Sequence, residues 1–207
     1  MKIERLTVGV YAANCYIIYC EDTKEGIVID PGEEGDRILK RIEELNLDVK
    51  YIILTHGHGD HIGGLKEVKE GTQAPILIHE GDRELLNDGT KNLSSVMATG
   101  SVQLEADRFV KDGEELSFGN YLVKIIHTPG HTPGGISINI DSSLFTGDTL
   151  FAGSIGRTDF PGGSYEQIIN SIKEKLVLFS DDTIVYPGHG PSSTIGREKV
   201  SNPFIIR

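Results

Sequence analysis

The sequence predicts an α/β protein with a four-layer αββα sandwich, in which two packed sheets are covered on the outside by helices. Strand-like apolar runs occur in both halves of the chain. Segments with helical spacing and one apolar face lie between these runs, and such a face must be buried against a sheet. The 25 glycines lie at the ends of apolar runs and indicate many tight turns. At a length of 207 residues we expect a single domain that spans 1–207.

The elements are predicted in order from their spacing. Strands at 2–8, 14–20 and 26–30 would form a meander, and the continuous apolar run at 51–54 is typical of a strand buried on both faces. Helices are predicted at 36–46 and 62–69. Strands follow at 76–78, 121–126, 136–140, 144–146 and 184–186. Ser164 and Gln167 form a predicted capping box at the start of a helix whose apolar face carries Ile168, Ile169, Ile172 and Leu176.

Composition and charge exclude several classes of partner. The 31 acidic and 20 basic residues give a net charge of -11, which repels a phosphate backbone. No apolar run approaches the ~18 residues of a membrane span, and the start of the chain does not resemble a signal peptide. Cys15 and Cys20 point to opposite faces of one strand, which argues against a disulfide. We expect a cytoplasmic protein without nucleic-acid or membrane partners, and the oligomeric state stays open.

A dense histidine cluster follows the buried strand at 51–54. His56 and His58 project the same way from a loop, and the glycines beside them let the backbone approach a metal ion. Asp60 and His61 face a neighbouring position. A Gly-rich polar loop without a metal is the alternative, but crowded histidines without partners are costly.

Three more candidate ligands lie at Gly-marked turns after later strands: His131, Asp148 and His189. Taken singly, Asp148 could cap a turn and His189 could simply occupy one. Together with the first cluster they give seven ligands for two ions, with Asp148 placed to bridge them. Imidazole and carboxylate without thiolate suit zinc, iron or manganese. His79 and His127 are predicted to be structural, with His127 a candidate second-shell residue.

This ligand series resembles the metallo-β-lactamase superfamily in order and separation over nearly the whole chain. Residues 30–32, 147–151, 156–160 and 187–191 resemble the glyoxalase II-like (hydroxyacylglutathione hydrolase-like) branch in its small single-domain bacterial form. The resemblance implies an αββα fold and a binuclear site. It assigns one ion to His56, His58 and His131, the other to Asp60, His61 and His189, and the bridge to Asp148.

The predicted activity is therefore metal-dependent thioester hydrolysis, with S-lactoylglutathione or a related acyl-thiol as substrate. Two divalent ions, zinc first and iron or manganese as alternatives, would lower the pKa of a shared water to about 7, and the resulting hydroxide would attack the carbonyl. Asp60 and Asp148 are the predicted catalytic side chains. A thiolate with a pKa of about 8.5 leaves without a general acid, whereas the nitrogen of a lactam does not. Larger glyoxalase II enzymes bind glutathione through an extra C-terminal domain, so the thiol carrier stays open.

Other readings remain open. A mononuclear iron persulfide dioxygenase has the same fold and a similar motif at 156–159, and a metal-holding module without catalysis belongs to a different class. Phosphodiester cleavage is disfavoured by the net charge of -11. Around the ligands, Asp30 is predicted either to orient a ligand or to cap a turn. Arg157 and Asp159 are predicted to pair and brace the Asp148 loop, or alternatively to contact substrate.

Overall fold

The first sheet contains the N-terminal strands. A computed structural model describes residues 1–97 and 100–206. Its first six strands are β1 (Lys2–Val8), β2 (Ala13–Tyr19), β3 (Glu25–Ile29), β4 (Asp48–Ile53), β5 (Ile76–His79) and β6 (Arg108–Val110). They form one sheet in this order, with β1 to β3 antiparallel, as the predicted meander requires, and β3 to β6 parallel. The carboxyl ends of β3, β4 and β5 therefore lie at the same edge.

The second sheet is built from the rest of the chain. Its strands are β7 (Glu115–Phe118), β8 (Tyr121–His127), β9 (Ile136–Ile140) and β10 (Ser143–Gly147), and, after a separate hairpin of β11 (Leu150–Phe151) and β12 (Ser154–Ile155), β13 (Ile184–Pro187) and β14 (Ser193–Thr194). The order across the sheet is β14-β13-β10-β9-β8-β7. Because β10 and β13 are parallel, their carboxyl ends lie side by side.

The helices are α1 (Gly35–Glu44), α2 (Gly59–Ile62), α3 (Leu65–Thr72), α4 (Arg83–Leu86), α5 (Tyr165–Glu174) and α6 (Ile195–Ser201). Ile38 of α1 packs in a core cluster with Ile52 of the first sheet. Ile168 of α5 packs with Leu144 of the second sheet. A third cluster, which includes Phe145, lies between the two sheets. Three apolar layers between four layers of backbone confirm the predicted αββα sandwich.

Two predicted helical features were wrong in detail. The helix predicted at 62–69 is divided into α2 and α3, because the chain turns at Gly63 and Gly64, where the Gly64 N–H donates to the carbonyls of Pro31 and Gly32. The Ser164 hydroxyl caps α5 by accepting from the Gln167 N–H. The Ser164 N–H, however, donates to the Gly130 carbonyl instead of completing the capping box.

Several short strands of the structure have no counterpart among the predicted elements. The short strands β6, β7 and β14 were not predicted, since two to four residues carry little periodic signal. Cys15 and Cys20 are both buried and free, as predicted. Within residues 1–97 and 100–206, no helix has the length and apolar character needed to cross a membrane.

Candidate metal centre

The predicted ligands meet at one edge of the sandwich because both sheets deliver them from strand ends. The segment after β4 carries the first histidine cluster, and β8, β10 and β13 lead to His131, Asp148 and His189. The two sheets are tied together here, since the Asn14 side chain donates to the carbonyls of Pro187 and Gly190. The strand framework of both sheets thus fixes the loops that carry the site.

The first set of side chains, the tri-histidine group, consists of His56, His58 and His131. All three are nearly inaccessible, with exposed fractions of 2%, 4% and 4%. Their candidate ligand atoms lie within 4.8 Å of one another, and His58 Nδ1 is 2.9 Å from His131 Nε2. Ligands about 2.1 Å from a tetrahedral zinc ion would stand roughly 3.4 Å apart, so these nitrogens are spaced to share one ion.

The second set, the mixed group, consists of Asp60, His61 and His189. His189 Nε2 lies 3.1 Å from Asp60 Oδ2 and 3.2 Å from His61 Nε2. His61 is fully buried, whereas the side chains of Asp60 and His189 are 16% and 27% exposed. This group combines a carboxylate with two imidazoles and opens toward solvent on one side.

Asp148 lies between the two groups. Its Oδ1 is 3.4 Å from His61 Nε2, and its Oδ2 is 3.6 Å from His131 Nε2 and 3.7 Å from His189 Nε2. Among the described residues, the buried atoms Asp148 Oδ1 and His56 Nε2 have no hydrogen-bond partner. Buried polar atoms normally have a partner, so two unpartnered atoms among the candidate ligands fit metal coordination.

The outward-facing ring nitrogens are held in a way that fits ligands. His61 Nδ1 lies 3.0 Å from Asp30 Oδ2, His131 Nδ1 lies 2.7 Å from the Arg157 carbonyl, and His189 Nδ1 lies 3.1 Å from the Tyr11 carbonyl. His56 Nδ1 lies 3.1 Å from Thr55 Oγ1. Metal-binding histidines typically donate their second ring N–H to such acceptors, which directs the other nitrogen at the ion. The donor set therefore fits two divalent cations.

The two groups differ in electrostatics. Burial, followed by the neighbouring His131, lowers the pKa of His58 to about 3, and burial lowers the pKa of His56 well below its usual range. Burial also disfavours charge on His61, but the carboxylates of Asp148 and Asp60 outweigh it and raise the pKa well above normal. Without metal, His56 and His58 are therefore neutral at pH 7, while His61 of the mixed group retains a proton.

The predicted residues around the ligands lie close to the site. Asp30 accepts from the Thr55 N–H at 2.7 Å, from the Thr55 hydroxyl at 2.5 Å and from His61. Asp30, His56 and His61 are also close enough to form a third possible ion site. The oxygens of Asp30 are already used by these three donors, one of which is the His61 ring.

Arg157 and Asp159 pair through two hydrogen bonds of 2.7 Å. The Arg157 guanidinium lies 3.9 Å from the centre of the Phe160 ring, and its main-chain carbonyl faces His131. The main-chain carbonyl of Arg157 thus contacts His131, whereas the bracing of the Asp148 loop by the Arg157–Asp159 pair stays a prediction.

His79 and His127 lie apart from both groups. Their rings stack at 3.9 Å with an angle of 10°. His127 Nε2 lies 2.9 Å from the Pro133 carbonyl, and His79 Nδ1 accepts from the Gly81 N–H. These contacts agree with the predicted structural role.

Sequence reasoning missed a buried carboxylate, Asp82. It is 0% exposed and accepts from the Gly57 N–H at 3.0 Å, the Thr132 hydroxyl at 2.7 Å and the Gly134 N–H at 2.6 Å. Gly57 lies between two histidines of the tri-histidine group, and Thr132 follows the third. Asp82 therefore joins the two loops that carry this group. Charged residues Glu80, Arg83 and Glu84 lie near it in sequence and give no local signal of burial.

The glycines of the first cluster have a different role from the one predicted. A Cβ added at Gly57 would stand 2.7 Å from Leu85 Cβ, and one at Gly59 would stand 2.8 Å from Met97 Sδ. These glycines make room for the segment that covers the cluster, not for an ion. Gly188, by contrast, borders the site, since its added Cβ would stand 2.3 Å from Asp148 Oδ1.

Comparison with known proteins agrees with this geometry. The metallo-beta-lactamase superfamily domain matches residues 8–189, a range that includes all seven candidate ligands. The chain belongs to the metallo-beta-lactamase superfamily. It is 42% identical over 209 residues to hydroxyacylglutathione hydrolase GloC of Haemophilus influenzae, across 99% of this chain and 98% of the relative. It is 38% identical over 208 residues to the probable metallo-hydrolase YqgX of Bacillus subtilis, across 99% and 98%.

Solved structures of the superfamily have the same fold. The BLEG-1 B3 metallo-beta-lactamase superimposes with a TM-score of 0.94 at 34% identity, over 100% of both chains. TTHA1623, solved in a di-iron-bound form, gives 0.87 at 32% identity over 97% of this chain and 99% of its own. ETHE1 from Myxococcus xanthus superimposes with a TM-score of 0.80 at 32% identity, over 98% of this chain and 84% of its own. Superfamily and relatives together support a metal-dependent hydrolase that acts on a small molecule.

Proposed function

We propose that the protein is a binuclear metal-dependent thioester hydrolase, similar to hydroxyacylglutathione hydrolases. The supporting observation is the convergence of five imidazoles and two carboxylates, in which four outward ring nitrogens face fixed acceptors. The tri-histidine group would hold one ion and the mixed group the other, with Asp148 between them. Zinc is the first candidate, and iron or manganese also suits these ligands.

The chemistry follows from this donor set. Divalent ions held by these residues would lower the pKa of a bound water and polarise the thioester carbonyl. Before an ion binds, Asp60 and Asp148 are ionised, since burial opposes their charge but the neighbouring protonated His61 outweighs it and lowers both pKa values. Water adds to the carbonyl carbon, the C–S bond breaks, and a carboxylic acid and a thiol are released. The thiolate leaves without a protonating side chain, which suits a site built only from ligands.

Two other activities are the competing candidates. Persulfide oxidation on a single iron is suggested by the likeness to ETHE1, and lactam hydrolysis by the likeness to BLEG-1. The mixed group favours hydrolysis over oxidation because it offers a complete second ligand set. A thioester is favoured over a lactam because the nitrogen leaving group is far more basic. GloC adds support for the thioester.

The test combines metal analysis with turnover. Purified protein, reconstituted with zinc, iron or manganese, is assayed with S-lactoylglutathione, other acyl thioesters, glutathione persulfide under oxygen, and a lactam. We expect two ions per chain and thioester turnover, with His79→Ala as a matched control that retains both. One iron per chain with rapid oxygen uptake and no thioester cleavage would support the dioxygenase. Lactam cleavage alone would support the lactamase, and no turnover at all would support a non-catalytic module.

A further inference from the structure

An apolar groove lies beside the pocket that contains both ligand groups. The ligand pocket has a volume of about 270 Å³, and the neighbouring groove has about 380 Å³. Leu93 lines both cavities, so they share a wall. Pockets for small ligands usually enclose about 300–1,000 Å³, so a substrate larger than its reacting group must extend beyond the ligand pocket. The groove is the cavity that adjoins it through Leu93.

The walls of the groove are mainly apolar. Its apolar lining consists of Leu85, Leu93, Pro133 and Pro161. Its charged residues, Glu84 and Lys91, are paired with each other at 2.5 Å. An anionic or zwitterionic group would have to compete with this pair, whereas an apolar chain gains contact with four apolar side chains.

Leu93 is held in an unusual conformation between the two cavities. Its φ of 69° lies in the left-handed region, which branched residues rarely adopt. The preceding Asn92 is 0% exposed and enforces this turn, because its side chain donates to the carbonyls of Leu85 and Val102 at 2.8 and 2.9 Å. The Asn92 carbonyl in turn accepts from the Gly59 N–H at 2.8 Å, inside the histidine cluster. Residues in a strained backbone conformation persist only where the surrounding structure holds them. Such residues cluster at functional sites.

We propose that the groove binds the apolar acyl chain of the thioester substrate, and that Leu93 determines acyl specificity. This inference rests on the proposed hydrolase function. With the reacting carbonyl at the ligand groups, the acyl chain passes Leu93 and lies between Leu85 and Pro161. The preferred substrates are thioesters of medium-length apolar acids, and short hydroxyacyl groups leave the groove unfilled.

Turnover of a graded series tests the inference. The metal-reconstituted protein is assayed with acetyl, butanoyl and hexanoyl thioesters of N-acetylcysteamine, a neutral thiol. We expect kcat/KM to rise at least about tenfold from acetyl to hexanoyl, since a single methylene in an apolar pocket is worth about 10–200-fold. Leu85→Glu and Pro161→Glu, at two residues that line the groove, should each abolish this rise. Val96→Asn is the matched control, because Val96 is 82% exposed and lies outside the lining of both cavities.

A binding measurement separates this inference from the proposed function. Calorimetry compares the unreactive thioethers S-hexyl- and S-methyl-N-acetylcysteamine, and we expect the hexyl compound to bind at least about tenfold more tightly. The groove assignment would be overturned if the two thioethers bound equally and kcat/KM did not change along the acyl series. It would also be overturned if they bound equally and both glutamate variants lost the same fraction of kcat/KM at every acyl length. Tighter hexyl binding without cleavage of any thioester would instead retain the groove and overturn the hydrolase.

Discussion

The tri-histidine group and the mixed group are neighbours but would hold a cation by different physical means. In the tri-histidine group all three rings are buried, and His56 and His58 are neutral. The buried Asp82 joins the two loops of this group through Gly57 and Thr132. The mixed group contains a carboxylate, is partly open to solvent, and has a second carboxylate, Asp30, directly against His61. One group relies on preorganised geometry, and the other relies on negative charge.

The two supporting carboxylates make this difference testable, because each accepts three hydrogen bonds. Those of Asp30 come from Thr55 and from the ligand His61 itself. Those of Asp82 come from Gly57, Thr132 and Gly134, which are main-chain and hydroxyl neighbours of ligands. Removing the charge of Asp30 should therefore disturb His61 directly. Removing the charge of Asp82 should instead loosen the two loops that carry the tri-histidine group.

The largest expected effect is the loss of one ligand from either group. His58→Ala and Asp60→Ala should each lower thioester kcat/KM on the order of 10³-fold or more, because metal activation is worth several kcal/mol and each 1.36 kcal/mol is tenfold. Metal content should fall from two ions to about one in each variant. Circular dichroism checks that the fold is retained, and His127→Ala is the histidine control. Full turnover by Asp60→Ala would mean that the tri-histidine group acts alone.

The next effect distinguishes the two carboxylates. An asparagine side chain has one acceptor oxygen, so Asp30→Asn and Asp82→Asn each leave at least one of three donors without its acceptor. We expect Asp30→Asn to lower the affinity of the mixed group for its ion by about 10–100-fold. Asp82→Asn should lower the affinity of the tri-histidine group for its ion by about tenfold. Competition with a chelator measures both affinities. If Asp82→Asn instead weakened the mixed group, the assignment of this carboxylate to the other loops would be wrong.

Much of this site could be predicted because its ligands lie in short Gly-rich segments directly after apolar strands. His56 to His61 follow β4, and Asp148 and His189 follow parallel strands, so strand prediction alone brings them to one edge. The pairing of Arg157 with Asp159 was likewise predicted from two nearby charges. Local spacing is sufficient where ligands, strand and turn are contiguous in sequence.

The features that were not predicted from the sequence depend on contacts between distant segments of the chain. Asp82 lies 25 residues from Gly57 and 52 from Gly134, and nothing near Asp82 in sequence indicates that it is buried. The role of Gly57 depends on where Leu85 lies, which is equally nonlocal. The break between α2 and α3 depends on carbonyls from the segment after β3. Periodicity describes one element at a time, so it cannot supply such contacts.

The pH dependence of metal uptake should separate the groups without any mutation. The carboxylates beside His61 raise its pKa well above normal, so this ring must lose a proton before an ion binds. Below that raised pKa, the affinity of the mixed group for its ion should therefore fall about tenfold per pH unit for each proton that the ion displaces. The pKa of His58 is already lowered to about 3 by burial and His131, so His58 should release no proton when an ion binds between pH 6 and 8. Calorimetric titration of the apoprotein at several pH values, in buffers of different ionisation enthalpy, measures the proton release. Equal release by both ions would contradict the comparison.

The smallest effect is expected at Arg157. Its main-chain carbonyl, not its guanidinium, faces His131, and the pair with Asp159 is exposed, with side-chain accessibilities of 57% and 68%. Exposed pairs contribute about 0–1 kcal/mol, so Arg157→Ala should change metal affinity by less than about fivefold. Chelator competition measures this affinity, and thioester kinetics of the same variant measure turnover. Because Arg157 also lines the ligand pocket, normal metal content with lost turnover would assign its guanidinium to substrate contact. Lost metal would instead show that the side chain supports the tri-histidine group, and geometry there would then depend on a surface ion pair.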